Sequence, residues 1–249
     1  MIAVVCGLGV CLLMVDPPNL LSYAAIFLAL YFVALQTAPR HLDGTNRAYW
    51  ASSIMHLMHS IVIVPLSVLA MQLDVNDLYF TTHESIRCCS IFLGYIAADL
   101  GPLLYYRSQW SGTELYIAHH LLSLSCCGTM AVRGHLHSLA VPLLLAEATA
   151  PFTNGRWLLC ALGYKGSFVY VLNSFAMALS FLIFRVIFMA WIILRHVVVL
   201  QATFFALPTS TVSIALLGCG FGYPLQLWWF QKIVKGLLKV VRAHPYKQG

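Results

Sequence analysis

The chain is 249 residues long, 61% hydrophobic and only 9% charged, with a formal net charge of +6. Soluble domains carry about 25% charged residues, so this composition lacks the charge to coat a water-facing surface and argues against a soluble fold. The long apolar runs do not alternate with polar residues as a membrane β-barrel requires. The basic residues form no patch apart from the C-terminal one, which argues against nucleic acid as a partner. An all-α polytopic membrane helix bundle of six to seven spans remains.

The first apolar run, 1–15, is shorter than the roughly 17 residues a span needs. It ends at Asp16-Pro17-Pro18 and reads as a cleavable signal, a short span or a half-helix; the lack of a positive n-region disfavours the signal. Apolar segments follow at roughly 20–36, 50–72, 88–106, 114–132, 137–152, 168–194 and 208–231. Segment 137–152 is short enough to be tilted or re-entrant. Lys232, Lys235, Lys239, Arg242 and Lys247 crowd the C-terminal end. A basic tail beside a span marks the cytosolic side. Counting back from it puts Arg40, Arg47, Arg156 and Lys165 inside and Asp74, Asp77 and Glu84 outside. Arg133 and Arg195 fall outside as exceptions. The cysteines lie mostly within apolar runs, with no CxxC pair, and read as small packing residues. There is no Asn-x-Ser/Thr acceptor, nucleophile elbow or P-loop.

Ionisable groups in a bilayer core are costly, so each is a functional candidate. The spans contain His56, His59, Asp99, His119, His120, Glu147 and Arg185. At about 1.5 Å per residue, all but Arg185 fall in one layer below the cytosolic face, contributed by separate helices. That layer predicts a polar pocket ringed by helices, with mutual pairing of these groups as the bland alternative. His119 and His120 point about 100° apart on a helix, so one can face a cavity while the other meets a neighbour. Arg185 is expected apart, near the opposite face, snorkelling or pairing. His56 and His59 share a helix face and could form half of a zinc site. No carboxylate lies near them on their own helix, and further ligands would have to come from elsewhere, so no metal is assigned.

The order and spacing of several motifs run through residues 45–240. They are Trp50 with Ser52-Ser53, His59-Ser60, Gly94-Tyr95 with Asp99, His119-His120, and the stretch 144–157, which includes Glu147, Pro151-Phe152, Asn154 and Arg156-Trp157. In these the chain resembles the TLC-domain family, which includes the ceramide synthases. It is more similar to the smaller members of the transmembrane-protein-56 type. The resemblance implies helices around a central tunnel, with an N-terminal membrane region over 1–44, a TLC domain over 45–240 and a basic cytosolic tail over 241–249. It implies catalytic roles for His119 and His120, with Asp99 or Glu147 orienting the ring. His56, His59, Tyr95, Asn154 and Arg156 are the accompanying lipid-binding candidates. Membrane lipids are the expected partners and acyl-CoA the expected acyl donor, with no required cofactor. The expected setting is the endoplasmic reticulum or another endomembrane. The expected function is lipid homeostasis by His-dependent acyl transfer, by non-enzymatic lipid binding or sensing, or, third, by lipid transport or scrambling. The sequence leaves the oligomeric state open.

Overall fold

The computed structural model describes residues 20–71 and 76–243. The run 1–15, Asp74 and Lys247 lie outside the described residues. Every regular element among those described is helical. Helices α1 (Leu20–Thr37), α2 (Gly44–Ala70), α3 (His83–Tyr105) and α4 (Thr113–Arg133) come first. A broken run follows: α5 (His137–Leu143), a 3₁₀ turn (Leu144–Thr149) and α6 (Ala150–Ala161). Then α7 (Phe168–Phe181) passes through π-helical turns at Leu182–Phe188 and Arg195–Val199, which flank α8 (Met189–Leu194). Short α9 (Gln201–Phe205) leads to α10 (Thr209–Ala243), a helix of 35 residues. Among the described residues five helices are long and apolar enough to cross a membrane: α1, α2, α3, α4 and the run Phe168–Val199. The chain is an all-α polytopic membrane bundle.

Several helices begin where the sequence supplies a capping oxygen. Asp43 accepts from the Asn46 N–H at 2.7 Å, and Thr82 forms a reciprocal capping box with Ser85. Ser167 accepts from the Tyr170 N–H. The core lies where α1 and α2 pack on α3, around the fully buried Tyr23, Phe27, Trp50, Met55, Met58 and Ile91. Gly94 allows α1 and α3 to meet, because a Cβ there would lie 2.5 Å from Tyr23 Cβ and 3.0 Å from the Ala24 nitrogen. Trp50 ties α2 to α1 by donating its indole N–H to Thr37 Oγ1.

The 3₁₀ turn has a legible cause. Pro151 has no N–H to offer Glu147, so the Ala150 N–H bonds the Glu147 carbonyl instead. That takes the Ala150 N–H, its α-helical partner, away from the Ala146 carbonyl. Thr149 Oγ1 and Arg185 Nε donate to it at 2.8 and 3.1 Å. A proline thus converts a backbone acceptor into an attachment point for a neighbouring helix.

Loop contacts define the two ends of the bundle. At one end His41 Nε2 meets the Ala161 carbonyl at 2.9 Å, and Arg156 Nη2 approaches Gly236. At the other end the Leu136 N–H donates to Leu78 O at 2.8 Å, and Arg195 donates to Asn76 Oδ1 at 3.1 Å.

Candidate functional site

The intramembrane polar groups singled out from the sequence converge on one region of the bundle. Glu147, on the 3₁₀ turn, accepts from His56 Nε2 at 2.7 Å through Oε2 and from Arg185 Nη2 at 3.3 Å through Oε1. Asn154, nearly two turns further along, donates its amide to His56 Nδ1 at 3.1 Å. This places the His56 proton on Nε2, facing the carboxylate. Arg185 also donates to Thr149 Oγ1 at 2.8 Å and to Gln226 Oε1 on α10 at 3.1 Å.

The histidine pair on α4 divides its tasks. His120 Nδ1 lies 3.0 Å from the Tyr116 carbonyl, and Nε2 lies 3.0 Å from Asp99 Oδ2. A carbonyl can only accept, so Nδ1 carries a proton, and one further proton is shared between Nε2 and Asp99. Ser52 donates to the other Asp99 oxygen at 3.3 Å. His120 is therefore tied at both nitrogens. His119 instead packs edge-on against Trp229 with ring centroids 5.5 Å apart, and its Nδ1 is buried without a hydrogen-bond partner.

Three cavities meet at this cluster. A polar one of about 220 Å³ is lined by His56, Tyr95, Asp99, His119, His120, Glu147, Asn154 and Arg185 among others. An apolar one of about 150 Å³ runs between Leu122, Cys126, Leu139, Leu143, Met189 and Ala215. Phe92, His119, Glu147 and Arg185 line both. A third, of about 300 Å³, opens beside Arg156, Trp229 and Lys232 and shares His56 and Arg185 with the polar cavity.

The expected residues therefore separate. His56, Tyr95, Asp99, His119, His120, Glu147 and Asn154 border the polar cavity. Arg156 borders the third cavity and lies over the Tyr170 ring at 5.6 Å. His59 is fully buried behind Tyr95, with ring centroids 4.1 Å apart and planes 10° apart.

Arg185 corrects the sequence expectation: it lies in the cluster, not apart from it near the opposite face. Depth counted along straight segments ending at 152 and 194 separates Arg185 from Glu147, whereas the helical runs continue to Ala161 and Val199. Both Glu147 and Arg185 consequently sit mid-run. The π-helical turn around Arg185 is a further departure from even spacing, of a kind common at functional sites. Gln226 was missed, since a neutral amide in an apolar run gives a weak signal.

Residues 49–235 match the family model of the TLC domain. Human TLC domain-containing protein 4 is 26% identical over 239 residues, covering 89% of this chain and 88% of its own length. TLC domain-containing protein 4-A of Xenopus laevis is 27% identical over 246 residues, with 91% of each chain covered. Human TLC domain-containing protein 2 is 25% identical over 184 residues, with 70% of this chain and 69% of its own covered. No solved structure matches. With three-quarters of its length inside the matched region and the intramembrane histidines, Asp99 and Glu147 all within it, the chain belongs to the TLC-domain family.

Proposed function

We propose that this protein handles an amphipathic lipid or acyl thioester inside an endomembrane such as the endoplasmic reticulum. The acyl chain occupies the apolar cavity and the head group or thioester meets the polar one. The supporting observation is His119, which borders both cavities while its pair-mate is held by Asp99 and Tyr116. In the enzymatic form, with acyl-CoA as donor, the His119 imidazole attacks the thioester carbonyl or takes a proton from the attacking acceptor. Nucleophilic attack forms an N–C bond as the C–S bond breaks. The thiolate leaves and takes up the imidazole proton, and the acceptor then takes the acyl group from the imidazole. With His119 as base, the deprotonated acceptor bonds the carbonyl carbon directly and the thiolate leaves with the proton. Arg185 and Glu147 stand beside the reacting carbonyl. A non-enzymatic lipid-binding reading is favoured by the interlocking of His56, Glu147, Asn154 and Arg185, which leaves that wall with few groups free to react.

The test is mass spectrometry of the purified protein together with the lipid profile of cells expressing His119→Ala. Loss of a general base lowers the rate about 10²–10⁴-fold, so the folded variant should lose its lipid effect while Cys160→Ala, outside all three cavities, keeps it. An acyl adduct on His119 supports transfer. Intact copurified lipid, with an unchanged profile in His119→Ala, leaves binding as the function.

A further inference from the structure

His59 is a buried polar group that the lipid-handling site does not use. Its side chain is fully enclosed, and neither ring nitrogen has a hydrogen-bond partner. Nδ1 points at Glu147 Oε2 from 3.7 Å, too far for a hydrogen bond. Glu147 Oε2 is already engaged by His56 Nε2 at 2.7 Å. The ligating atoms of His56, His59 and Glu147 all lie within 4.8 Å of one another. We propose that these three residues form a binding site for a divalent transition-metal ion of the zinc class.

Bonds of about 2.0–2.1 Å at tetrahedral angles put neighbouring donor atoms about 3.3 Å apart. The separations of Glu147 Oε2 from the two imidazole nitrogens, 2.7 and 3.7 Å, straddle that value. Small opposite shifts of Glu147 would equalise them. Two imidazoles and one carboxylate are a donor set used by metal sites that keep an open position. The open position here faces the polar cavity, which His56 and Glu147 both line.

The surroundings supply the supporting contacts such a site needs. Arg185 holds Glu147 Oε1, which leaves Oε2 as the ligand oxygen. Tyr95 stacks on His59 and fixes its ring plane. Metal binding moves the His56 proton from Nε2 to Nδ1. The Asn154 amide, whose nitrogen donates to both His56 Nδ1 and the Ala150 carbonyl, must give up the latter bond as it turns its oxygen to accept that proton. The imidazole stays neutral, and no proton leaves the site. His59 and His56 lie one turn apart on α2, whereas Glu147 reaches them only because of the proline-broken run.

The experiment uses the full chain purified in detergent through a histidine-free tag, stripped by chelator and titrated with zinc chloride alone. Metal content is read by elemental mass spectrometry. About one zinc per chain is expected. His59→Phe keeps an aromatic ring among Phe27, Phe92 and Tyr95 while removing both nitrogens, and should bind at least about tenfold more weakly. Zinc should raise the melting temperature of the wild type but not of His59→Phe. His119→Ala should bind zinc normally, which separates this site from the acyl-transfer reading. Absence of saturable one-to-one binding in the wild type, or equal binding by a folded His59→Phe, overturns the proposal.

Discussion

Arg185 presents its guanidinium to Glu147, Thr149, the Ala146 carbonyl and Gln226, and so joins the π-helical turn to the 3₁₀ turn and to α10. Removing it strands a buried carboxylate and an amide together. Breaking a buried pair from one side costs about 3–5 kcal/mol. Arg185→Ala should therefore lower the melting temperature in detergent by on the order of 10 °C. Arg185→Lys should recover only part of that loss, because an ammonium cannot span the fork of acceptors. Adding Glu147→Gln to Arg185→Ala should cost less than the two single losses combined, because the stranded carboxylate is gone. Strict additivity in that cycle would show that the two side chains do not interact. The ionisable residues themselves were legible in the sequence, because charge and imidazole are rare in apolar runs and cost energy there. Their pairings were not. Nothing in the sequence says that His120 rather than His119 meets Asp99, or that Arg185 shares Glu147 with His56.

At the scale of elements, the apolar runs located most of the helices because length and hydropathy dictate where a chain can cross a bilayer. Breaks inside the helices were harder to see. Its shortness marked segment 137–152 as tilted or re-entrant, but its continuation to Ala161 depends on α6 packing against α2 and α7. The close contact of α1 with α3 was likewise hidden, since a glycine in a membrane helix can mark a kink, a contact or neither. Gly94 and Gly101 on α3 offer a matched comparison. A Cβ at Gly94 would collide with Tyr23 and with the α1 backbone, whereas one at Gly101 meets nothing within 4 Å. Gly94→Ala should destabilise the protein by about 1–3 kcal/mol, the usual cost of overpacking. Gly101→Ala should be neutral or slightly stabilising. Thermal melts of the two variants side by side check this, and equal melting temperatures would mean that α1 is not held against α3 in the membrane.

For the molecule as a whole, charge is distributed by end. The end where His41 meets Ala161 also carries Arg40, Arg156, Lys165 and the exposed Lys232, Lys235, Lys239 and Arg242 of α10. The opposite end joins Leu136 to Leu78 and Arg195 to Asn76, with Asp77 and Glu84 nearby and Arg87 and Arg133 as further cations. Loops that the sequence could sort only by counting spans are thus sorted again by contact, without any assumption about how many spans there are. Lysine and arginine are retained on the cytosolic side of short loops, and anionic lipid there attracts a basic helix end by about 1 kcal/mol per cation. The α10 end should therefore face the cytosol. A tag placed after Gly249 should be digested when protease is added to sealed microsomes without detergent. The chain has no Asn-x-Ser/Thr site of its own, so an introduced acceptor reports without background. An acceptor inserted near Tyr79 should be glycosylated, and one appended after Gly249 should not. A protected C-terminal tag together with a glycosylated C-terminal acceptor would invert the orientation and place the Arg156–Lys232 mouth of the third cavity on the lumenal side, out of reach of a cytosolic acyl donor.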